Sequence, residues 1–163
     1  IRYETTVKST AICWFTPDQT QGKAHPLVFT QSQAICGRSL MPCQDTPCVK
    51  QPFTWRMTVP RPLTAVCSGQ RCGGVETELK RTFAYKQDIP VMSYLLAVII
   101  GDLEERPIGP RSVVYAEPSV VGAAEAEFKD IVEDYLVTAQ SVVGGSDYVW
   151  GSYNLAVLPS SFG

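Results

Sequence analysis

Apolar and polar positions alternate along much of the first hundred residues. The cleanest case is residues 53–59 (FTWRMTV), with Phe53, Trp55, Met57 and Val59 on one face and Thr54, Arg56 and Thr58 on the other. A period of two is the mark of a strand buried on one side. Residues 1–7 and 76–87 alternate more loosely, and the runs at 11–15, 26–33 and 63–67 read as further short strands. Residues 93–101 (SYLLAVIIG) are apolar enough to predict a strand buried on both faces. Residues 18–26 are polar and residues 68–74 carry three glycines, so both predict loops. Short strands punctuated by proline and glycine predict a sandwich or saddle of sheets.

The pattern then changes. Residues 102–111 are charged and contain Pro107, Gly109 and Pro110, which predicts a domain junction. Residues 113–116 read as a short strand. Residues 119–143 predict a single helix, with Phe128, Ile131, Val132, Tyr135, Ala139, Val142 and Val143 on its buried face. Gly144 and Gly145 supply its stop. Residues 153–158 read as a second buried strand. Strand, helix and strand in that order open an α/β layer. The predicted fold is therefore mainly β, with residues 1–105 as a β domain and residues 106–163 as the start of an α/β domain.

Composition narrows the function. The chain of 163 residues carries a net charge of −2, with no basic cluster, so nucleic acid is not an expected partner. The longest apolar run, residues 95–100, is far too short to span a bilayer. Of the six cysteines, no two form a C-x-x-C pair, and His25 is the only histidine. A structural zinc site is not expected from that set. The cysteines read as free thiols in a reducing cytoplasm. The chain begins with Ile1 and stops after a strand-like run, so it reads as a piece of something longer.

No nucleophile constellation is evident. A Ser-His-Asp or Cys-His arrangement would have to use His25, which sits in a polar loop (GKAHP) and reads as a surface residue. The carboxylates between Glu125 and Asp134 read as the solvated helix face. Asp45, in PCQDTP, reads as a turn residue whose carboxylate accepts nearby backbone N–H groups. Gln31 and Gln33 lie two apart after a strand-like run, which places both carboxamides on one side. From residue chemistry alone this is a non-catalytic β-rich module.

Three stretches carry a resemblance. FTPDQTQGKAHPLVFTQSQAICGRSLMPCQDTPCVK, SYLLAVIIGDLEERPIGPRSVVYAEP and YVWGSYNLAVLPSSF resemble, in order and spacing, the leukotriene A4 hydrolase/aminopeptidase B family of zinc aminopeptidases. The resemblance implies a saddle-like N-terminal β-sheet domain followed by the first strand-helix-strand of a thermolysin-like catalytic domain. It implies a parent that uses zinc to remove N-terminal residues from peptides, with a lipid epoxide as a second substrate in bifunctional members. The family holds zinc through H-E-x-x-H and a later glutamate, and none of these is in this sequence, so the chain is expected to bind no zinc and to be inactive alone. It is expected to pack on the missing catalytic and C-terminal domains, with residues 148–151 at the interface. The family's Q-x-Q-A motif lines the substrate cleft, which implies substrate binding by Gln31, Gln33 and Ala34. Pro42, Cys43, Asp45 and Pro47 are then architectural. Gly163 stands where the family continues with proline, either because the piece ends irregularly or because the parent departs from the pattern. The alternative is a truncated or degenerate relative that serves as a binding or scaffold module.

Overall fold

A computed structural model of the chain describes residues 1–145 and 147–162; Gly163, the position that departs from the family pattern, lies outside them. Among the described residues, ten strands form three sheets. β1 (Ile12–Phe15), β2 (Leu27–Thr30), β7 (Val98–Gly101) and β4 (Thr64–Cys67) make an antiparallel sheet in the order β1-β2-β7-β4. β3 (Lys50–Pro60), β6 (Lys80–Met92) and β5 (Gln70–Glu76) make a second antiparallel sheet in the order β3-β6-β5. In the third sheet β9 (Ser112–Ala116) lies between β8 (Glu104–Gly109), antiparallel to it, and β10 (Tyr153–Ala156), parallel to it. Two helices, α1 (Val121–Phe128) and α2 (Val132–Val142), connect β9 to β10. A parallel pair needs such a crossover.

Side-chain parity stacks these layers. Along β4 and β7, Ala65, Cys67 and Val98 point into one core, with Val59, Phe83 and Tyr85 of the second sheet. Their neighbours Val66 and Ile99 point into another, with Phe15, Leu27, Phe29, Leu103 and Tyr115. The first sheet is thus the middle layer, buried on both faces. β9 repeats the device. Val113 and Tyr115 face the first sheet, while Val114 and Ala116 face Val121, Ala124, Val132 and Leu136 of the helices. Each fully buried Val or Leu contributes roughly 1.5–3 kcal/mol relative to exposure. The alternation of β3 is as expected, with Phe53, Trp55, Met57 and Val59 inward and their neighbours exposed.

Several sequence expectations are corrected. Residues 1–8 form no strand and lie exposed. The expected loop at 68–74 is a tight turn at Ser68 and Gly69, followed by β5. Gly69, at φ +96°, turns the chain from the first sheet into the second. The expected buried strand at 93–101 begins as a 3-10 turn, Ser93–Leu95, and becomes a strand only at Val98. The expected junction at 102–111 contains β8 rather than an irregular loop. β10 is an edge strand, with Tyr153, Asn154 and Ala156 exposed rather than buried.

The expected single helix is broken at residues 129–131, and α2 presents a different face inward. Val132 and Leu136 are buried, while Tyr135, Val142 and Val143 are exposed. Arg111, just before β9, reaches this helix. Its Nη2 contacts Glu133 Oε1 at 2.9 Å and donates to Gln140 Oε1 at 3.0 Å. Val132 and Leu136 pack in the core with Ile108, Val114 and Ala116. Among the described residues, no helix is long and apolar enough to cross a membrane.

Candidate functional site

β2 ends at Thr30, so Gln31 and Gln33 lie just past the strand rather than within it. The alternation nevertheless continues, because hydrogen bonds replace the ladder. Thr30 Oγ1 accepts the Val98 N–H at 2.8 Å, and the Gln31 N–H donates to the Ala11 carbonyl at 2.8 Å. Ser32 is buried at 2% exposure, and its hydroxyl donates to the Leu96 carbonyl at 3.4 Å. With Thr30 and Ser32 tied inward, Gln31 and Gln33 stay exposed on the opposite side, and Ala34 is exposed beside them. The peptide bond between Gln33 and Ala34 is cis. The three residues singled out by resemblance therefore lie exposed in one short stretch of chain, the rim.

Behind the rim the chain folds back on itself. The Cys36 N–H donates to the Ser32 carbonyl at 2.9 Å, and the 3-10 turn Gly37–Ser39 follows. The Asp45 side chain is 2% exposed and sits under this turn. It accepts the Arg38 N–H at 2.9 Å, Arg38 Nε at 3.1 Å and the Ser93 hydroxyl at 2.6 Å. Asp45 thus binds a backbone N–H as expected, but its partners lie seven and forty-eight residues away, not within its own turn. Burial alone would raise the Asp45 pKa. The hydrogen bonds from Ser93 and Arg38 outweigh it and hold the carboxyl below the ordinary aspartate range. The neighbouring Cys43 thiol is pushed up, first by burial and then by the Asp45 carboxylate. That makes it a poor nucleophile.

The rim offers carboxamide donors and acceptors and no activated acid, base or nucleophile. Among the described residues, no three His, Cys, Asp or Glu side chains are grouped to hold a metal ion. His25 is half-buried rather than a fully exposed surface residue. The residues present therefore do not fit the zinc centre that the resemblance implies. A cavity of about 540 Å³ lies between the sheets, lined by Phe53, Tyr115, Tyr148, Trp150 and Leu155 among others, and a second of about 660 Å³ lies against β5 and β8. Neither is lined by Gln31, Gln33 or Ala34. Tyr148 packs on the core beside the helices, with the Arg111 guanidinium 5.4 Å from its ring centre. The Trp150 carbonyl accepts the Gln70 side-chain amide at 2.9 Å. Sequence reasoning missed Ser32, Arg38 and Ser93 as supports of the rim. No local pattern marks them, since Ser93 meets Asp45 only through the fold.

Comparison with known proteins agrees with this architecture. Residues 1–95 match the model of the peptidase M1 N-terminal domain. The chain is 41% identical over 151 residues to rat aminopeptidase B, covering 93% of this chain and 22% of that protein. Native yeast LTA4 hydrolase superposes with a TM-score of 0.87 at 40% identity, over 97% of this chain and 24% of that one. A two-domain M1 zinc metallopeptidase solved with bound L-arginine superposes with a TM-score of 0.68 at 27% identity, over 82% of this chain and 32% of that one. The chain spans about a quarter of the length of the relatives it matches.

Proposed function

Since the chain belongs to the M1 peptidase family, with residues 1–95 matching its N-terminal domain, we propose that it is part of a zinc aminopeptidase and supplies one wall of the peptide cleft. The observation that carries this reading is the rim. Gln31 and Gln33 are both exposed, while the residues between and before them are tied inward. A carboxamide offers a donor and an acceptor without charge. It can hold a peptide's ammonium group or a backbone carbonyl without competing for a metal as a carboxylate would. The zinc and its chemistry would come from residues outside this sequence, and this chain's part is to bind and orient. Two preset amides lower the cost of ordering the substrate.

The test is substitution of Gln33 in the full-length protein. Gln33→Ala should lower kcat/KM for peptides roughly ten- to a hundredfold, the equivalent of one lost polar contact of about 1–3 kcal/mol. Zinc content should not change. Gln33→Glu keeps the shape and replaces the donor with a charge, so it should impair neutral peptides while leaving stability nearly intact. If both variants process peptides at the parental rate, Gln33 is a solvated residue of a scaffold surface and the cleft-wall reading fails.

A further inference from the structure

We infer that Asp45 and Ser93 are positioning residues, which hold residues 31–34 in the geometry that faces the substrate. The inference rests on the cleft-wall reading of the rim but concerns residues that do not touch the substrate themselves. The structure closes a ring of hydrogen bonds behind the rim. From the Ser32 carbonyl it runs to the Cys36 N–H at 2.9 Å and, through the backbone, to the Arg38 N–H, which donates to Asp45 Oδ2 at 2.9 Å. Asp45 Oδ1 accepts the Ser93 hydroxyl at 2.6 Å. The Ser93 carbonyl accepts the Leu96 N–H at 3.1 Å, and the Leu96 carbonyl accepts the Ser32 hydroxyl at 3.4 Å. The ring therefore begins and ends on Ser32, the residue between the two glutamines.

The Asp45 carboxylate is the tightest node of this ring. Arg38 adds a second grip, with Nε to the carboxylate at 3.1 Å and Nη2 to the Asp45 carbonyl at 3.0 Å. A Cβ at Gly37 would lie 3.0 Å from Asp45 Oδ1 and 3.5 Å from the Ser93 Cβ, so the turn lies directly on the carboxylate. Charge-assisted hydrogen bonds of this kind are the stronger class. A second set of bonds holds the other side of the rim. Ser39 Oγ accepts the Ala11 N–H at 3.0 Å, and the Ala11 carbonyl accepts the Gln31 N–H at 2.8 Å. With that side fixed, the ring through Asp45 decides how the turn at 33–36 lies and hence where Gln33 points.

The test uses the full-length protein with Asp45→Asn and Ser93→Ala. Ser93→Ala removes a single hydroxyl and keeps the inference open to refutation if Asp45→Asn does not fold. Ser93→Thr is the conservative variant that restores the donor. Hydrogen exchange at the Cys36 and Arg38 amides should rise about tenfold or more in Ser93→Ala, return toward the parental rate in Ser93→Thr, and leave β3 and β6 unchanged. KM for peptides should rise several-fold with kcat held within about twofold, because positioned binding, not chemistry, is lost. In a Gln33→Ala background the same substitution should have no further effect on KM, whereas a merely structural role would add to it. Unchanged exchange at residues 32–38, or additive effects on KM, would overturn the inference. If Gln33→Ala and Gln33→Glu both process peptides at the parental rate, the cleft-wall reading fails, and the exchange data still decide whether Asp45 and Ser93 fix the rim.

Discussion

Glu117 Oε1 accepts the backbone N–H of Gly22 at 3.0 Å, across ninety-five residues of sequence. Its other oxygen accepts the Gln21 N–H at 2.9 Å, and the side chain is buried. Glu117 directly follows β9, whereas Gly22 lies in the loop leading into β2. One carboxylate thus ties the third sheet to the first, over the apolar contact of Leu27 and Phe29 with Tyr115.

Glu117→Gln should therefore destabilise the chain. The amide places an NH2 group against one of two N–H donors, which leaves a buried donor unmatched at a cost of about 1–3 kcal/mol. Urea denaturation should show a lower midpoint with an unchanged slope. A midpoint equal to the parent's would mean that Glu117 is not a tie between the sheets.

The cysteines should separate by burial. Burial pushes the Cys67 thiol up to about 12, while Cys48 and Cys72 are exposed. The thiolate is the reactive form, so at pH near 8 Cys67 should alkylate slower by roughly a thousandfold than a thiol of ordinary pKa near 8.5. Mass spectrometry after brief iodoacetamide treatment should find Cys48 and Cys72 modified and Cys67 intact until urea unfolds the chain. Early labelling of Cys67 would show that β4 opens in the native state.

Two glycines should respond with opposite sign. Gly69 has φ +96°, and a Cβ there would lie 2.8 Å from the Lys86 carbonyl oxygen. Gly69→Ala combines backbone strain with a backbone clash and should cost about 1–3 kcal/mol or more. Gly122, in α1, has nothing within 4 Å of its Cβ position. Gly122→Ala should stabilise by about 0.4–1 kcal/mol, through helix propensity and a less free unfolded chain. Thermal melts of the two variants should move in opposite directions from the parent.

What the sequence reveals depends on whether the signal is local. The parity of Phe53, Trp55, Met57 and Val59 was legible because a strand's period belongs to the strand itself. The alternation of exposed Gln31, buried Ser32 and exposed Gln33 carries on past the end of the strand. β5 was hidden because Gly69, Gly73 and Gly74 imitate a loop, while β6 supplies the pairing that makes them a strand. β8 was hidden by Pro107 and Gly109, where its pairing with β9 slips register and accommodates both. Arg111 reaching Glu133 and Gln140 on α2, and Ser93 reaching Asp45 behind the rim, were hidden too. Those contacts are properties of the fold, and no window of sequence contains both partners.

The Asp45 carboxylate should also set an acid limit on the rim. Its folded pKa is depressed below the unfolded value: burial opposes ionisation, but the Ser93 and Arg38 hydrogen bonds prevail. A depressed carboxyl contributes stability that is fully present above the unfolded pKa and is lost as the pH falls through the folded one. The window therefore opens at the ordinary aspartate value of about 3.9 and extends below it. One neighbour, Cys43, bears on the titration. Pushed up by burial and by Asp45, it stays neutral there. Asp45→Asn cannot titrate at this position, so its stability relative to the parent isolates the effect. Urea denaturation of both proteins at stepped pH should show the parent more stable by a constant margin above about pH 5. That margin should shrink as the pH falls below about 4. A margin that stays constant down to pH 3 would mean that Asp45 is not held as the carboxylate, and the ring behind Gln31 and Gln33 would lose its charged node.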